Sequence, residues 1–290
     1  MDKKPLVSIS CITYNHEPFI KECLDGFLMQ KTSFEFEILI NDDASTDKTI
    51  EVIRQYQHLY PAIIKPIFQT ENQYSRGQRG MNIKFNFPRA RGNYIALCEG
   101  DDYWTDPYKL QKQVDFLENN PQYAASFHDV DMLFDDKQLA FSKHHNNPIK
   151  ETMFFSDVVS NDWLIPTCSF IFKKDKLHFP PFYGTLNHGD FPLFCGILLN
   201  SKAHYFKETM GVYRRNNTSS MMNTPKAFGY LNVGLDFVQF LTWLNNFANQ
   251  EDKGVIENRI YRELNQARNH INVYKNSKIF RFYSFIRGKW

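Results

Sequence analysis

The sequence predicts an α/β fold with a mostly parallel sheet flanked by helices and a helical extension at the C-terminal end. Three observations predict it. Strand and helix signals alternate over about the first 130 residues, the pattern of parallel strands joined by crossover helices. Polar or acidic segments follow three of those strands directly. From about Lys226 onward the chain reads as polar helix.

Residues 6–12 (LVSISCI) form a run rich in β-branched residues and read as a buried strand. Helical spacing follows at Phe19, Ile20, Cys23, Leu24, Phe27 and Leu28. Residues 36–40 (FEILI) are the second strand, running into Asn41-Asp42-Asp43. Ser45 or Thr46 is expected to cap the next helix, whose apolar face holds Ile50, Ile53 and Leu59 and which stops before Pro61. Residues 63–68 are a third strand. Residues 70–92 are polar and basic and show no clear period. Residues 94–98 (YIALC) are a fourth strand and enter Glu99-Gly100-Asp101-Asp102 at once. Thr105 or Asp106 is expected to cap a helix with Pro107 at its first position and Leu110, Val114 and Leu117 facing inward. Residues 124–133, 167–172 and 211–213 read as strands, and residues 191–200 as a short helix.

Composition narrows the function. The chain has 290 residues, 42% hydrophobic and 23% charged, which fits a globular α/β domain with an appendage. A formal net charge of +2 is too small to argue for nucleic acid. The five cysteines, Cys11, Cys23, Cys98, Cys168 and Cys195, form no C-x-x-C pair and read as buried thiols in a reducing compartment. The first residues carry no apolar core of signal-peptide length, and no stretch approaches the roughly 20 apolar residues of a membrane span. A cytoplasmic location is expected.

In an open α/β sheet, ligands bind beyond the carboxyl ends of the strands. Tyr14-Asn15, Asp42-Asp43 and Glu99 to Asp102 occupy those ends here. A diphosphate cannot bind bare carboxylates, but it can bind them through a divalent cation; Mg²⁺ and Mn²⁺ commonly use one or two carboxylates plus substrate phosphates. Taken singly, Asp-Asp before a helix serves as often as a cap or turn, and an acidic cluster after a strand is more often a solvated loop. Two clusters at two strand ends argue for a site.

ISCITYNH (residues 9–16), INDDASTD (40–47) and LCEGDDYW (97–104) resemble, in order and spacing, the successive motifs of the family 2 glycosyltransferases, inverting enzymes of the GT-A fold. The resemblance covers roughly residues 5–120 and extends more weakly to about 220. It implies a catalytic domain over residues 1–222, with a donor-binding half (1–120), an acceptor-side half (121–222) and a helical extension over 223–290. It implies that Tyr14 lies against the nucleobase, with Thr13 and Asn15 beside it. Asp43 hydrogen-bonds the base, a uracil, with Asp42 as its neighbour. Glu99-Gly100-Asp101 takes the D-x-D position, with Glu where the family has Asp, and Asp101 and Asp102 (with Glu99) serve the ribose and a Mn²⁺ or Mg²⁺ ion between them. In Asn187-His188-Gly189-Asp190-Phe191, Asp190 takes the general base's place; outside that frame it reads as an N-cap. Tyr213-Arg214-Arg215-Asn216 resembles a Y-R-x-H segment closing over the diphosphate, so that Arg214 or Arg215 neutralises phosphate charge, while Asn216 stands where a metal-binding histidine is usual.

The implied reaction moves a sugar from a nucleotide-diphosphate donor to a hydroxyl, on a glycan or lipid-linked acceptor, in surface polysaccharide or glycan assembly. A sugar-nucleotide pyrophosphorylase would carry a Gly-rich basic loop after the first strand, and a dinucleotide oxidoreductase a G-x-G-x-x-G there; ITYNHEPF is neither. A non-catalytic nucleotide-sugar-binding protein of the same fold is the other alternative. In the C-terminal tail, Lys275, Lys278, Arg281, Arg287 and Lys289 interleave with Phe280, Phe282, Tyr283, Phe285 and Trp290, which reads either as a packed terminal helix or as a membrane-surface segment.

Overall fold

The computed structural model describes residues 4–134, 140–143, 149–161, 164–215 and 226–276. Strands β1 (Val7–Thr13), β2 (Phe36–Asp42), β3 (Ile64–Phe68) and β4 (Tyr94–Leu97) pair in parallel in the order β3-β2-β1-β4. The sheet continues through β9 (Ile171–Lys173), antiparallel to β4 and to β6 (Ala125–Phe134). Next comes β10 (Lys202–Arg215), which runs parallel to β6. Short strands β5 (Tyr103–Trp104) and β8 (Thr152–Phe154) pair antiparallel with β10, and β7 (Ala140–Lys143) with β6.

Alternation along the strands builds two cores. Val7, Ile9, Cys11, Ile38, Ile40, Tyr94 and Ala96 face one layer, where helices α1 (Ile20–Leu28), α2 (Thr49–Leu59) and α3 (Lys109–Asn119) bury Leu24, Phe27, Ile53, Leu110 and Val114. Leu39, Ile95, Leu97, Phe127, Phe170 and Phe172 face the other. There α4 (Phe155–Ser160), α5 (Asp190–Leu198), α6 (Lys226–Leu244) and α7 (Gln250–Asn276) contribute Val158, Phe194, Phe240, Leu241 and Ile256.

Several boundaries differ from the sequence expectation, each for a polar reason. Neither Ser45 nor Thr46 caps α2: Ser45 donates to the Asp42 carboxylate and Thr46 to Asn15 Oδ1, while Asp47 accepts from the Thr49 amide. Pro107 lies ahead of α3 rather than at its first position, with Asp106 accepting from the Tyr108 amide. Residues 167–169 form a turn of 3₁₀ helix before β9, and residues 211–213 lie near the carboxyl end of a long, irregular β10. The aperiodic stretch 70–92 contains a wide helical turn at Asn82–Asn86 held under β1 and β2: Asn86 Nδ2 donates to Ser10 Oγ and to the Cys11 and Leu39 carbonyls. Such wide turns often mark functional sites.

Gly92 sits where β4 leaves this stretch. A Cβ there would fall 2.5 Å from the Ser8 amide nitrogen and 2.7 Å from the Val7 carbonyl carbon, both backbone atoms of the central strand. Gly92→Ala is therefore expected to cost about 2–3 kcal/mol, the upper range for overpacking, because β1 cannot give way without breaking its register on both sides. Chemical denaturation checks this; a midpoint equal to wild type contradicts it.

Candidate active site

The carboxyl ends of β1, β2 and β4 open onto one crevice. Beyond β1, Tyr14 is 43% exposed and Asn15 takes a left-handed conformation, φ 54°. The loop is tied down on its far side: Asn15 Oδ1 accepts from the Thr46 amide and the Asn15 amide donates to Ser45 Oγ. The His16 amide donates to Thr49 Oγ1, and the Glu17 amide to Asp47. Beyond β2, Asp42 is fully buried and committed to Ser45; burial raises its carboxyl and the Ser45 hydrogen bonds oppose the rise. Asp43 accepts from the amides of Gln73 and Tyr74, at 2.7 and 3.0 Å, and so anchors the loop after β3 across the mouth of the crevice.

Beyond β4 the acidic turn folds back on β1. The Gly100 amide donates to the Ile12 carbonyl at 3.0 Å, and a Cβ at position 100 would fall 2.7 Å from Thr13 Oγ1 and 2.9 Å from His16 Nδ1. Only glycine fits the approach. Asp102 points into the protein, 1% exposed, accepting from the Arg214 amide at 2.7 Å; burial and the Asp101 charge push its carboxyl well up. Asp101 faces the crevice. Its Oδ1 is buried with no hydrogen-bond partner, and its Oδ2 lies 4.0 Å from His16 Nε2.

Asp190 opens α5 on the opposite wall. Thr167 Oγ1 donates to its Oδ2 at 3.2 Å, and burial raises its carboxyl against that bond and the nearby His188. Glu99 is pushed well above the usual carboxylate range, by burial first and then by Asp190, Asp101 and Asp102 in turn. The Tyr213 hydroxyl is raised by burial and by the charges of Asp102, Glu99 and Asp190. Residues 91 positions apart in sequence thus share one field, and such clusters of perturbed carboxyls mark functional sites.

Arg214 has a different place from the one expected. Its guanidinium, 8% exposed, donates to the Asp101 carbonyl, pairs with Glu22 and lies 4.8 Å from both the Phe19 and the Tyr103 ring centroids. It clamps the acidic turn to α1 and is not free to meet a phosphate, so of the two arginines the expectation narrows to Arg215, exposed at the end of β10. Asn216 lies outside the described residues. The helical extension reaches the site from behind: Asp236 accepts from the amide and side chain of Asn187, and Arg259 lies over Phe191 and Phe237 while pairing with Glu263. Sequence reading missed Thr167, Glu22 and Asp236, because their partners are 23 to 192 positions away and no motif joins them, and Arg259, whose contact with Phe191 spans 68 positions.

A cavity of about 530 Å³ lined by Glu35, Phe36, Glu37, Arg89 and Arg91 lies at the opposite, amino ends of the strands, where Glu37 already pairs with Arg91. It has no part in this crevice.

The fold is shared with glycosyltransferases solved with nucleotide sugars. The fold matches Staphylococcus aureus TarS 1-349 in complex with UDP-GlcNAc (TM-score 0.66, 19% identity, 89% of this chain and 71% of that one). It also matches the mannosyltransferase PcManGT of Pyrobaculum calidifontis in complex with GDP-Man and Mn²⁺ (TM-score 0.58, 16% identity, 99% and 85%). The family model "Glycosyl transferase family 2" matches residues 8–177, and the chain belongs to that family. An uncharacterized protein of Mycobacterium tuberculosis is 46% identical over 130 residues, which is 45% of this chain but only 36% of that protein's length.

Proposed function

We propose that this chain transfers a sugar from a nucleotide-diphosphate donor, a UDP-sugar, to a hydroxyl acceptor with inversion, as a GT-A enzyme. The observation that supports it is the shared field of Glu99, Asp101 and Asp190, contributed by two walls of one crevice. In this reading residues 1–120 hold the donor and 121–222 face the acceptor, with 223–290 as the helical extension. Tyr14 lies against the base, beside Thr13 and Asn15. Asp43 keeps lone pairs free for a uracil N–H while its amide partners fix the covering loop.

The residues fit a divalent cation. Asp101 Oδ1 is a buried carboxylate oxygen without a donor, an arrangement that an ion explains. Among the described residues no three His, Cys, Asp or Glu side chains converge on one point, so Mn²⁺ or Mg²⁺ would rest on Asp101 and the donor's phosphates. Asp102, committed to the Arg214 amide, holds the turn. The ion would supply charge neutralisation for the departing diphosphate. Asp190, held by Thr167, takes the acceptor's proton, which a raised carboxyl does more readily near neutral pH. That pairing of base and acidic turn favours an enzyme over a non-catalytic binding protein.

Incubation with a panel of nucleotide sugars and Mn²⁺ tests the function. Release of nucleoside diphosphate from a UDP-sugar, abolished by EDTA, is expected; binding of no nucleotide sugar with either ion overturns the reading.

The acceptor is proposed to be a glycan or lipid-linked chain in polysaccharide assembly, reached from the cytoplasmic side. Among the described residues no helix is long and apolar enough to cross a membrane. The basic and aromatic tail from Lys278 onward lies outside the described residues. Basic residues gain about 1 kcal/mol each near an anionic leaflet, so the full chain is expected to co-sediment with anionic vesicles at low salt. A chain ending near Tyr274 is expected to stay in the supernatant. Equal sedimentation of the two assigns the tail to packing.

A further inference from the structure

Three buried polar atoms around Gly100 lack a hydrogen-bond partner: Thr13 Oγ1, His16 Nδ1 and Asp101 Oδ1. Buried polar groups are normally satisfied, so the Asp101 carboxylate calls for a donor or an ion, while Thr13 Oγ1 and His16 Nδ1, unbonded here, stand close enough to satisfy each other after a small adjustment. They are not loosely placed. Thr13 is 3% exposed at the end of β1, and the His16 backbone is fixed by Thr49 on one side and by the Phe19 and Ile20 amides on the other. The Asp101 carbonyl is held by Arg214. Thr13 Oγ1 and His16 Nδ1 both face the bare Cα of Gly100, within 3 Å of the same point. On the far side of the ring, His16 Nε2 lies 4.0 Å from Asp101 Oδ2 without bonding to it.

We infer that His16 is a second protein ligand of the divalent cation, through Nε2, with Thr13 Oγ1 accepting from Nδ1–H to fix the tautomer and aim the ring. The inference rests on the reading of Asp101 as a cation ligand. Ligands about 2.1 Å from one octahedral ion are about 3 Å apart when adjacent and about 4.2 Å apart when opposite, so the gap of 4.0 Å can hold one ion without movement of the main chain. A ligating histidine usually donates its other N–H to an oxygen, and Thr13 Oγ1 is the unpartnered oxygen beside it. Imidazole suits later transition ions better than Mg²⁺, so the site should prefer Mn²⁺. With two protein ligands the rest of the shell is left to the donor's phosphates and water, and cation binding should strengthen with nucleoside diphosphate.

The test is Mn²⁺ binding to the full chain with uridine diphosphate, followed by calorimetry and by pulsed electron paramagnetic resonance, which detects directly bound nitrogen. Wild type is expected to show a nitrogen coupling. His16→Gln should lose it and bind Mn²⁺ about 10-fold more weakly or worse, with a smaller change for Mg²⁺. Thr13→Val should weaken binding less and keep the coupling. Circular dichroism confirms that each variant is folded. No coupling in wild type, or one that persists in His16→Gln, overturns the assignment of His16. If Asp101→Asn also leaves Mn²⁺ binding unchanged, the reading of Asp101 fails as well; if Asp101→Asn abolishes binding while His16→Gln does not, only the histidine's role is lost.

Discussion

Asp190→Asn is expected to lower kcat by roughly 10²-fold or more while donor affinity stays close to wild type, because the amide keeps the shape of the carboxylate but cannot take a proton. Thr167 Oγ1, which donates to Asp190 Oδ2 at 3.2 Å, can donate equally to the amide oxygen, so α5 keeps its first-turn anchor. Asp236 and Arg259 hold the same turn from the helical extension whatever stands at position 190. The pH profile gives an independent readout. A general base must be ionised, so activity falls as pH drops through its pKa. Burial raises the Asp190 carboxyl, which shifts the acid limb of kcat/KM upward from where an exposed aspartate would put it, with activity rising as pH increases through it. Removing the charge at 190 also removes the second-largest cause of the rise at Glu99, so the Glu99 titration, followed by carboxyl nuclear magnetic resonance, should move down in the variant. Calorimetry with donor and Mn²⁺ checks that binding survives. Transfer at the wild-type rate would place the base elsewhere, and Asp129 and Asp131 would be tested next; Asp162 lies outside the described residues.

What the sequence made legible was whatever repeats locally. The short apolar runs of β1, β2 and β4 arise from burial on both faces of the sheet, and the 3.6-residue spacing of α1 and α3 from one buried face, and these strands and helices stand where those patterns predict. The acidic segments could be placed at the strand ends for the same reason. Their division of labour could not. Asp101 and Asp102 are neighbours of identical chemistry, and only the arrival of β10, whose Arg214 amide takes Asp102, shows which one faces inward. Arg214 looked like a phosphate ligand because arginine fits phosphate; its commitment to Glu22, Phe19 and Tyr103 depends on α1 and β5 lying beside it, a contact across 192 positions. The stretch 70–92 had no period because it is held by the Asn86 side-chain amide and by irregularly spaced buried residues, Met81, Phe87 and Ala90, rather than by one regular apolar face.

That division of labour gives the sharpest contrast between neighbours. Asp101→Ala is expected to abolish metal-dependent binding of nucleoside diphosphate, a loss of at least about 10²-fold if even outer contacts to a metal are worth 10- to 100-fold. It should do so in a folded protein. The bond to Arg214 comes from the Asp101 carbonyl, which alanine retains, and the side chain makes no hydrogen bond that the fold would lose. Its removal also relieves the repulsion that raises Asp102 and Glu99, so thermal stability should equal or exceed wild type. Asp102→Ala should behave in the opposite way. The buried Arg214 amide would lose its acceptor, at a cost of about 1–3 kcal/mol, and β10 would loosen where it meets the acidic turn. Calorimetric titration of uridine diphosphate with Mn²⁺, repeated in EDTA, together with a thermal melt of each variant, reads both effects. The wild type in EDTA should then bind no better than Asp101→Ala in Mn²⁺. If Asp101→Ala binds as wild type does, the cation lies elsewhere; if it melts early while Asp102→Ala does not, the two carboxylates have exchanged the roles given to them here.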